Sequence, residues 1–261
     1  MRAQPGAREG LSLEPDRQLA EAIEAAREAH FDQHGLACHY PAFSVSRERG
    51  RLAAHLGGLE ALDFKRLRIP AQTSFWINVF NAGVLRDSPE LEFAAKPRDV
   101  QAFFEQPRLK IGGHVFSLDD VQHGLLRGNV AKHGRLRAPM SRDDARLAFM
   151  PIAFDERMHF ALYSASRSSP ALRAFDGGNL DRQLEAAAAA HLRRTVRVEG
   201  EGAVVTLPKV LDWYAKDFGG ERGALEFALA RLDEEQVDAV DRRQGRVKVQ
   251  YAEYDWSLNR R

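Results

Sequence analysis

A single cysteine, Cys38, stands among 261 residues. It excludes an internal disulfide, and with it the cystine-stapled secreted scaffolds and any zinc site built of cysteine alone. No run of about eighteen apolar residues occurs, so nothing reads as a membrane-spanning helix. The opening MRAQPGAREGLSLEPDRQLA lacks the apolar stretch of a secretory signal. An excess of one charge is missing too, since 38 Lys+Arg face 37 Asp+Glu. The short basic clusters at Arg66 and Arg68, Arg135 and Arg137, Arg193, Arg194 and Arg197, and Arg242 and Arg243 read as solvated faces rather than a nucleic-acid footprint. There is no Walker loop, no G-x-G-x-x-G, no H-E-x-x-H and no EF-hand spacing, which leaves nucleotide, dinucleotide, zincin and calcium chemistry without support. The expectation is a cytoplasmic protein with no cofactor, no nucleic-acid partner and no membrane, whose partner is a small molecule or another protein. The 31 arginines against 7 lysines read as GC-rich coding rather than a demand for guanidinium groups.

What remains is ample for a core: 44% of residues are hydrophobic and 29% charged, an ordinary globular balance. Residues 1–14 mix Gly, Pro and charge without periodicity and read as a loose, disordered tail. The rest, 15–261, reads as one domain, because no Pro/Gly/Ser-rich linker divides it. Leu19, Ile23 and Ala26, then Leu52, Leu56 and Leu59, recur at helical spacing. From Pro70 to Arg86 the apolar positions leave hardly any polar face, which predicts a central buried helix. Met158 to Tyr163 alternates and predicts a buried strand. A helix from Asn179 through Leu192, a hairpin around Glu199-Gly200-Glu201-Gly202, helices around Trp213 and Leu225, and a last strand through Val247, Val249 and Tyr251 complete the pattern. The fold class is α+β, helix-rich, with a small and mostly antiparallel sheet.

Three places carry chemistry. Ser74, Asn78 and Asn81 form the polar stripe of the central helix, and their groups need partners: a loop, another side chain or a ligand. Ser117 opens a helix on which Asp119, His123 and Arg127 fall at i, i+4 and i+8. The hydroxyl-rich loop from Ser164 to Pro170, with Ser168 and Ser169, follows the predicted strand, a common position for a catalytic loop. It lacks the G-x-S-x-G elbow. A fourth cluster, His30, Asp32, His34, Cys38 and His39, includes ligand-type residues, yet matches no zinc signature, and no metal is expected there.

Phe75-Trp76-Ile77-Asn78-Val79-Phe80-Asn81-Ala82, the segment Ser117 to Arg127 and Asp155-Glu156-Arg157-Met158-His159-Phe160-Ala161-Leu162 resemble the family catalogued as domain of unknown function 547. Trp213-Tyr214, Asp217-Phe218-Gly219 and the terminal Tyr254 to Asn259 extend the resemblance to about residues 30–259. Its pattern implies a cysteine in a Ser-Cys-Pro segment and a Glu-His pair, which would suit thiol hydrolysis or acyl transfer. Here Ser169 takes the cysteine's position and Gln122 the glutamate's. Two readings follow. One is a degenerate, non-catalytic binding or scaffold member. The other is a serine-based hydrolase or acyl transferase, with Ser169 attacking and His123 as base, oriented by Asp119 or Asp155, while Asn78 or Asn81 orients the histidine or binds a carbonyl. His159, Arg127 and Ser168 join them as binding candidates, His159 in a supporting position near Ser169.

Overall fold

The computed structural model describes residues 15–93 and 97–261. The expected tail at 1–14 lies outside the described residues. Helix α1 (Pro15–His30) buries Leu19, Ala22, Ile23 and Ala26 along one stripe. It packs with α3 (Arg47–Gly58) and the central α4 (Ile69–Asp87), after the short α2 (Tyr40–Ser44). Ser46 caps α3 by accepting from Arg49 N, as an N-cap hydroxyl does. From Ser74 to Leu85 helix α4 is buried all round, and Trp76 fixes its depth. The indole Nε1 donates to the Phe149 carbonyl at 2.8 Å, and the ring lies among Phe64, Phe75, Phe116 and Phe149. Helix α5 (Pro97–Glu105) leads into the hairpin β1 (Leu109–Ile111) and β2 (His114–Phe116).

A π-helical segment, Asp120–Leu126, follows. Ser117 starts it with a reciprocal capping box: its hydroxyl accepts from Asp120 N, and the Asp120 carboxylate accepts from Ser117 N, both at 2.9 Å. Wider i→i+5 turns, a geometry that recurs at functional sites, keep Asp119, His123 and Arg127 on one side. Gly124 sits where a Cβ would meet Met140 Cε at 2.7 Å. Asn129 clasps the Met140 backbone at both N and O, which closes the polar excursion that follows against this helix.

The strand expected at Met158–Tyr163 does not form. Residues Glu156–Phe160 make a 3-10 turn, started by Asp155, whose carboxylate accepts from Arg157 N. All six residues from Met158 to Tyr163 are buried, so the apparent alternation does not report one buried face. The backbone bonds that a neighbouring strand would supply come from a side chain instead. Asn81 Nδ2 donates to Ala161 O at 2.9 Å, and Asn81 Oδ1 accepts from Tyr163 N at 2.9 Å. After Pro170 the chain runs on irregularly as far as residue 176.

Helix α6 (Leu180–Thr195) precedes a three-stranded sheet of β3 (Arg197–Glu199), β4 (Val204–Leu207) and β5 (Lys248–Tyr251). β3 pairs antiparallel with β4, as the hairpin reading required, whereas β5 joins β4 in parallel. The class is α+β, with two small sheets rather than one. Between β4 and β5 lie α7 (Lys209–Trp213), a 3-10 turn at Ala215–Phe218, α8 (Gly220–Leu229) and α9 (Glu234–Asp241). The apolar interior forms two clusters, one around α1, α3 and α4, the other around α6, β4, α7 and α8. The 156–160 turn straddles them: Met158 belongs to the first and Phe160 to the second. His159, between them in the chain, lines a cavity.

Candidate functional site

That cavity measures about 700 Å³ and takes its wall from the π-helix, the excursion after it, the serine loop, α6, α7 and the carboxyl-terminal segment. One connected chain of groups backs its wall, with Asp119, His123, Lys132 and His159 lining the cavity and Arg127 and Asp217 behind them. Arg127 makes a two-pronged ion pair with Asp217, Nε to Oδ2 at 2.7 Å and Nη2 to Oδ1 at 2.9 Å. His159 Nε2 donates to Asp217 Oδ2 at 2.8 Å. Arg127 Nη1 donates to His123 Nδ1 at 3.1 Å, and His123 Nε2 lies 3.9 Å from Asp119 Oδ1. Lys132 closes the chain, its ammonium 2.6 Å from Asp119 Oδ2. The Tyr214 ring stacks on His159 at 4.0 Å and lies under the Arg127 guanidinium at 4.7 Å.

Protonation follows from the partners. Burial pushes the Asp217 carboxyl up, but hydrogen bonds from His159 and Arg127 outweigh it and hold the group well below the usual carboxylate range. Burial pushes His159 down against the pull of Asp217, so this contact is a neutral imidazole donating to a carboxylate. His123 is driven well below 6.5 by burial first and by the Arg127 charge second. A guanidinium only donates, so Nδ1 of His123 is the acceptor and its proton sits on Nε2. Burial raises Asp119, partly countered by Lys132. Two ring nitrogens of the cluster, His123 Nε2 and His159 Nδ1, are buried without a hydrogen-bond partner.

The same device recurs on α6. Arg194 Nη2 lies 3.2 Å from His191 Nδ1, which again makes Nδ1 the acceptor and puts the proton on Nε2. Burial first, and the Arg194 charge second, lower His191 to about 3. Both residues line the cavity and form a wall shared with a second recess of about 690 Å³.

The residues expected to act together are only partly assembled. Asp119, His123, Arg127 and His159 belong to the cluster. Ser168 lines the cavity, and its hydroxyl accepts from Asp255 N at 2.9 Å. Ser169 is buried, donates to Pro170 O at 2.8 Å and accepts from Ser164 N at 2.9 Å, and no hydrogen bond joins it to His123. Asp155 is held by Arg157 rather than by a histidine. Asn78 accepts from Phe175 N and donates to Phe175 O, so both asparagine amides are engaged with backbone and neither orients a histidine. His30 bonds Glu48 at 3.2 Å, and among the described residues no group of three or more His, Cys, Asp or Glu side chains is placed to hold a metal ion.

Sequence reasoning did not place Asp217, Tyr214, Lys132, Arg194, Trp213, Tyr254 or Trp256 in the site. The Trp213-Tyr214 and Asp217-Phe218-Gly219 motifs were the available signal, but the partners of Asp217 lie about 60 to 90 residues away in the chain.

Fold and site thus define an α+β protein with a buried histidine, arginine and aspartate network at the wall of a sizeable cavity. A family model described as "Protein of unknown function, DUF547" matches residues 64–192, and over that segment the chain is similar to the family. The matched segment, shorter than the 30–259 span of motif resemblance, holds Arg127, His123 and His159 but not Asp217. No curated protein and no solved structure matches the chain. No described helix is long and apolar enough to cross a membrane.

Proposed function

We propose that this chain is a small-molecule binding member of that family, one that holds its ligand in the 700 Å³ cavity and performs no serine-based hydrolysis or acyl transfer. The observation that carries this reading is the Arg127 Nη1 contact to His123 Nδ1 at 3.1 Å. A neutral imidazole has one lone pair, and here a permanent cation occupies it, so His123 can donate through Nε2 but has nothing with which to accept a serine proton. The serine adds to the argument. A nucleophile needs a base within hydrogen-bond reach, and the Ser169 hydroxyl spends its proton on a backbone carbonyl.

The same groups suit recognition. His123 Nε2 is a buried donor and His159 Nδ1 a buried acceptor, each without a partner, on residues that line a cavity of the size that takes small molecules. Satisfying such a group is worth about 1 to 3 kcal/mol, so a ligand with an acceptor and a donor gains at both. The test has two arms. A fluorophosphonate probe and a panel of esters, amides and thioesters should give neither labelling of Ser169 nor turnover. A broad metabolite panel in a thermal-shift assay should raise the melting temperature with at least one compound. Turnover abolished by Ser169→Ala would refute the reading, and so would a panel in which no compound shifts the melt.

A further inference from the structure

Five Lys or Arg side chains line the cavity against two acids, Asp119 and Glu253. Three of the five are already neutralised: Lys132 by Asp119, Arg135 by Glu105 and Lys209 by Asp212. The other two, Arg194 and Arg167, form no ion pair with any described carboxylate. Arg194 is the telling one. It is half-buried, and burial lowers its pKa. Taking a guanidinium out of water without a counter-charge is unfavourable, and its recorded contacts are a backbone carbonyl, Ser169 O at 3.1 Å, and a neutral imidazole, His191.

The same cavity has a flat aromatic wall. Trp213 and Trp256 stack with ring centres 5.7 Å apart at 22°, and Tyr254 packs 4.9 Å from the first and 4.3 Å from the second. Trp256 is 39% exposed, although a large apolar ring usually finds cover. The two features share one cavity, which Arg194, Arg167, Trp213, Tyr254 and Trp256 all line.

Resting on the binding reading above, we infer that the ligand is a ring-bearing anion, its carboxylate or phosphate held between Arg194 and Arg167 and its planar ring laid against the Trp213–Trp256 stack. Arginine's planar fork matches either anion, and an electron-rich indole pair accepts a flat ring. Carboxylate and phosphate share this chemistry, so the experiment separates them.

Isothermal titration of the full chain uses 2-naphthoate, its neutral twin 2-naphthamide, the ring-saturated cyclohexanecarboxylate, and adenosine 5′-monophosphate. The expected result is saturable binding of naphthoate or of the nucleotide, whichever headgroup fits, with naphthamide and cyclohexanecarboxylate each weaker by about tenfold or more. Arg194→Gln, which retains a donor for the Ser169 carbonyl, should weaken the anion by about tenfold and leave naphthamide unchanged. Trp256→Leu, which keeps an apolar side chain at this 39% exposed position, should weaken every ring compound. Equal binding of naphthoate and naphthamide would overturn the inference, as would an Arg194→Gln titration that matches the wild type, or silence from all four probes. These failures are distinct from failure of the binding reading: a thermal-shift hit that is neutral or lacks a ring would uphold the cavity as a binding site while removing the ring-bearing anion.

Discussion

Lowering the pH from 7.5 to 5.0 should remove about 2 kcal/mol of folding stability or more, long before the bulk of the carboxylates titrate. Three histidines, His123, His159 and His191, are buried to within 5% exposure, and all have pKa values lowered by burial. In the unfolded chain a histidine takes up its proton near 6.5, while in the native state His191 refuses it until about 3. Between those values the unfolded state binds the extra proton. The stability contributed by a neutral buried histidine is therefore full above pH 6.5 and is lost as pH falls toward the native pKa. Over the window 7.5 to 5.0 one such group accounts for about 2 kcal/mol. His191 supplies that share, and His123 and His159 act in the same direction. Against a total of about 5 to 15 kcal/mol for a typical domain, this is a large fraction. Urea unfolding followed by circular dichroism at pH 7.5, 6.5, 5.5 and 5.0 measures it. His191→Gln, whose amide oxygen still accepts from Arg194, should shrink the loss by about 2 kcal/mol. A loss below about 1 kcal/mol, or a His191→Gln profile parallel to the wild type, would refute buried neutral histidines.

Asn81→Ala removes the side chain that stands in for a neighbouring strand, stranding Tyr163 N and Ala161 O. A cost of about 2 to 4 kcal/mol follows, and a thermal melt within a degree or two of wild type would count against it. Asp217→Asn leaves the Arg127 guanidinium, 5% exposed, without its carboxylate. The expected loss is about 3 to 5 kcal/mol, read in urea at pH 7.5. Two glycines form a matched pair. A Cβ on Gly223 would stand 1.8 Å from the Phe218 carbonyl oxygen, whereas one on Gly50 meets nothing within 4 Å. Gly223→Ala should destabilise by about 3 kcal/mol, and Gly50→Ala, inside α3, should stabilise by about 0.5 to 1 kcal/mol; similar melts for the two variants would contradict this.

The helices were legible because their signals are local. Pro15 and the Leu19, Ile23, Ala26 spacing mark α1, Ser117 and Asp120 mark their own capping box, and Glu199-Gly200-Glu201-Gly202 marks a turn. The missing strand at 158–163 shows where such reading stops. Alternation implies a strand only if one face is exposed, and at the junction of two apolar clusters both faces are covered. The partner that decides the backbone there, Asn81, is about 80 residues away in sequence. Asn81 and Asn78 were visible as a polar stripe, and the choice between ligand and loop backbone depends on what the fold brings opposite them.

The histidines show the same limit in chemical terms. His123 with a nearby serine suggests a base, but the role of an imidazole is set by which nitrogen is spoken for, and that is a tertiary fact. Arg127 follows His123 by four residues and Arg194 follows His191 by three, and in each case the guanidinium reaches back to Nδ1. The spacing is readable, since i,i+3 and i,i+4 pairs share a helical face, yet arginine so placed can equally well turn outward to solvent. Here Asp217, from a turn about 90 residues further on, grips Arg127 Nε and Nη2 and leaves Nη1 pointed at the ring. One bidentate ion pair thus decides the tautomer of a histidine that the aspartate never touches. An Arg127→Met variant should accordingly free the Nδ1 lone pair, and His123, relieved of the adjacent positive charge, should titrate at higher pH than in the wild type. Proton NMR of the imidazole resonances measures that shift, and an unchanged His123 titration would break the link between Asp217, Arg127 and the neutral, donating form of the ring.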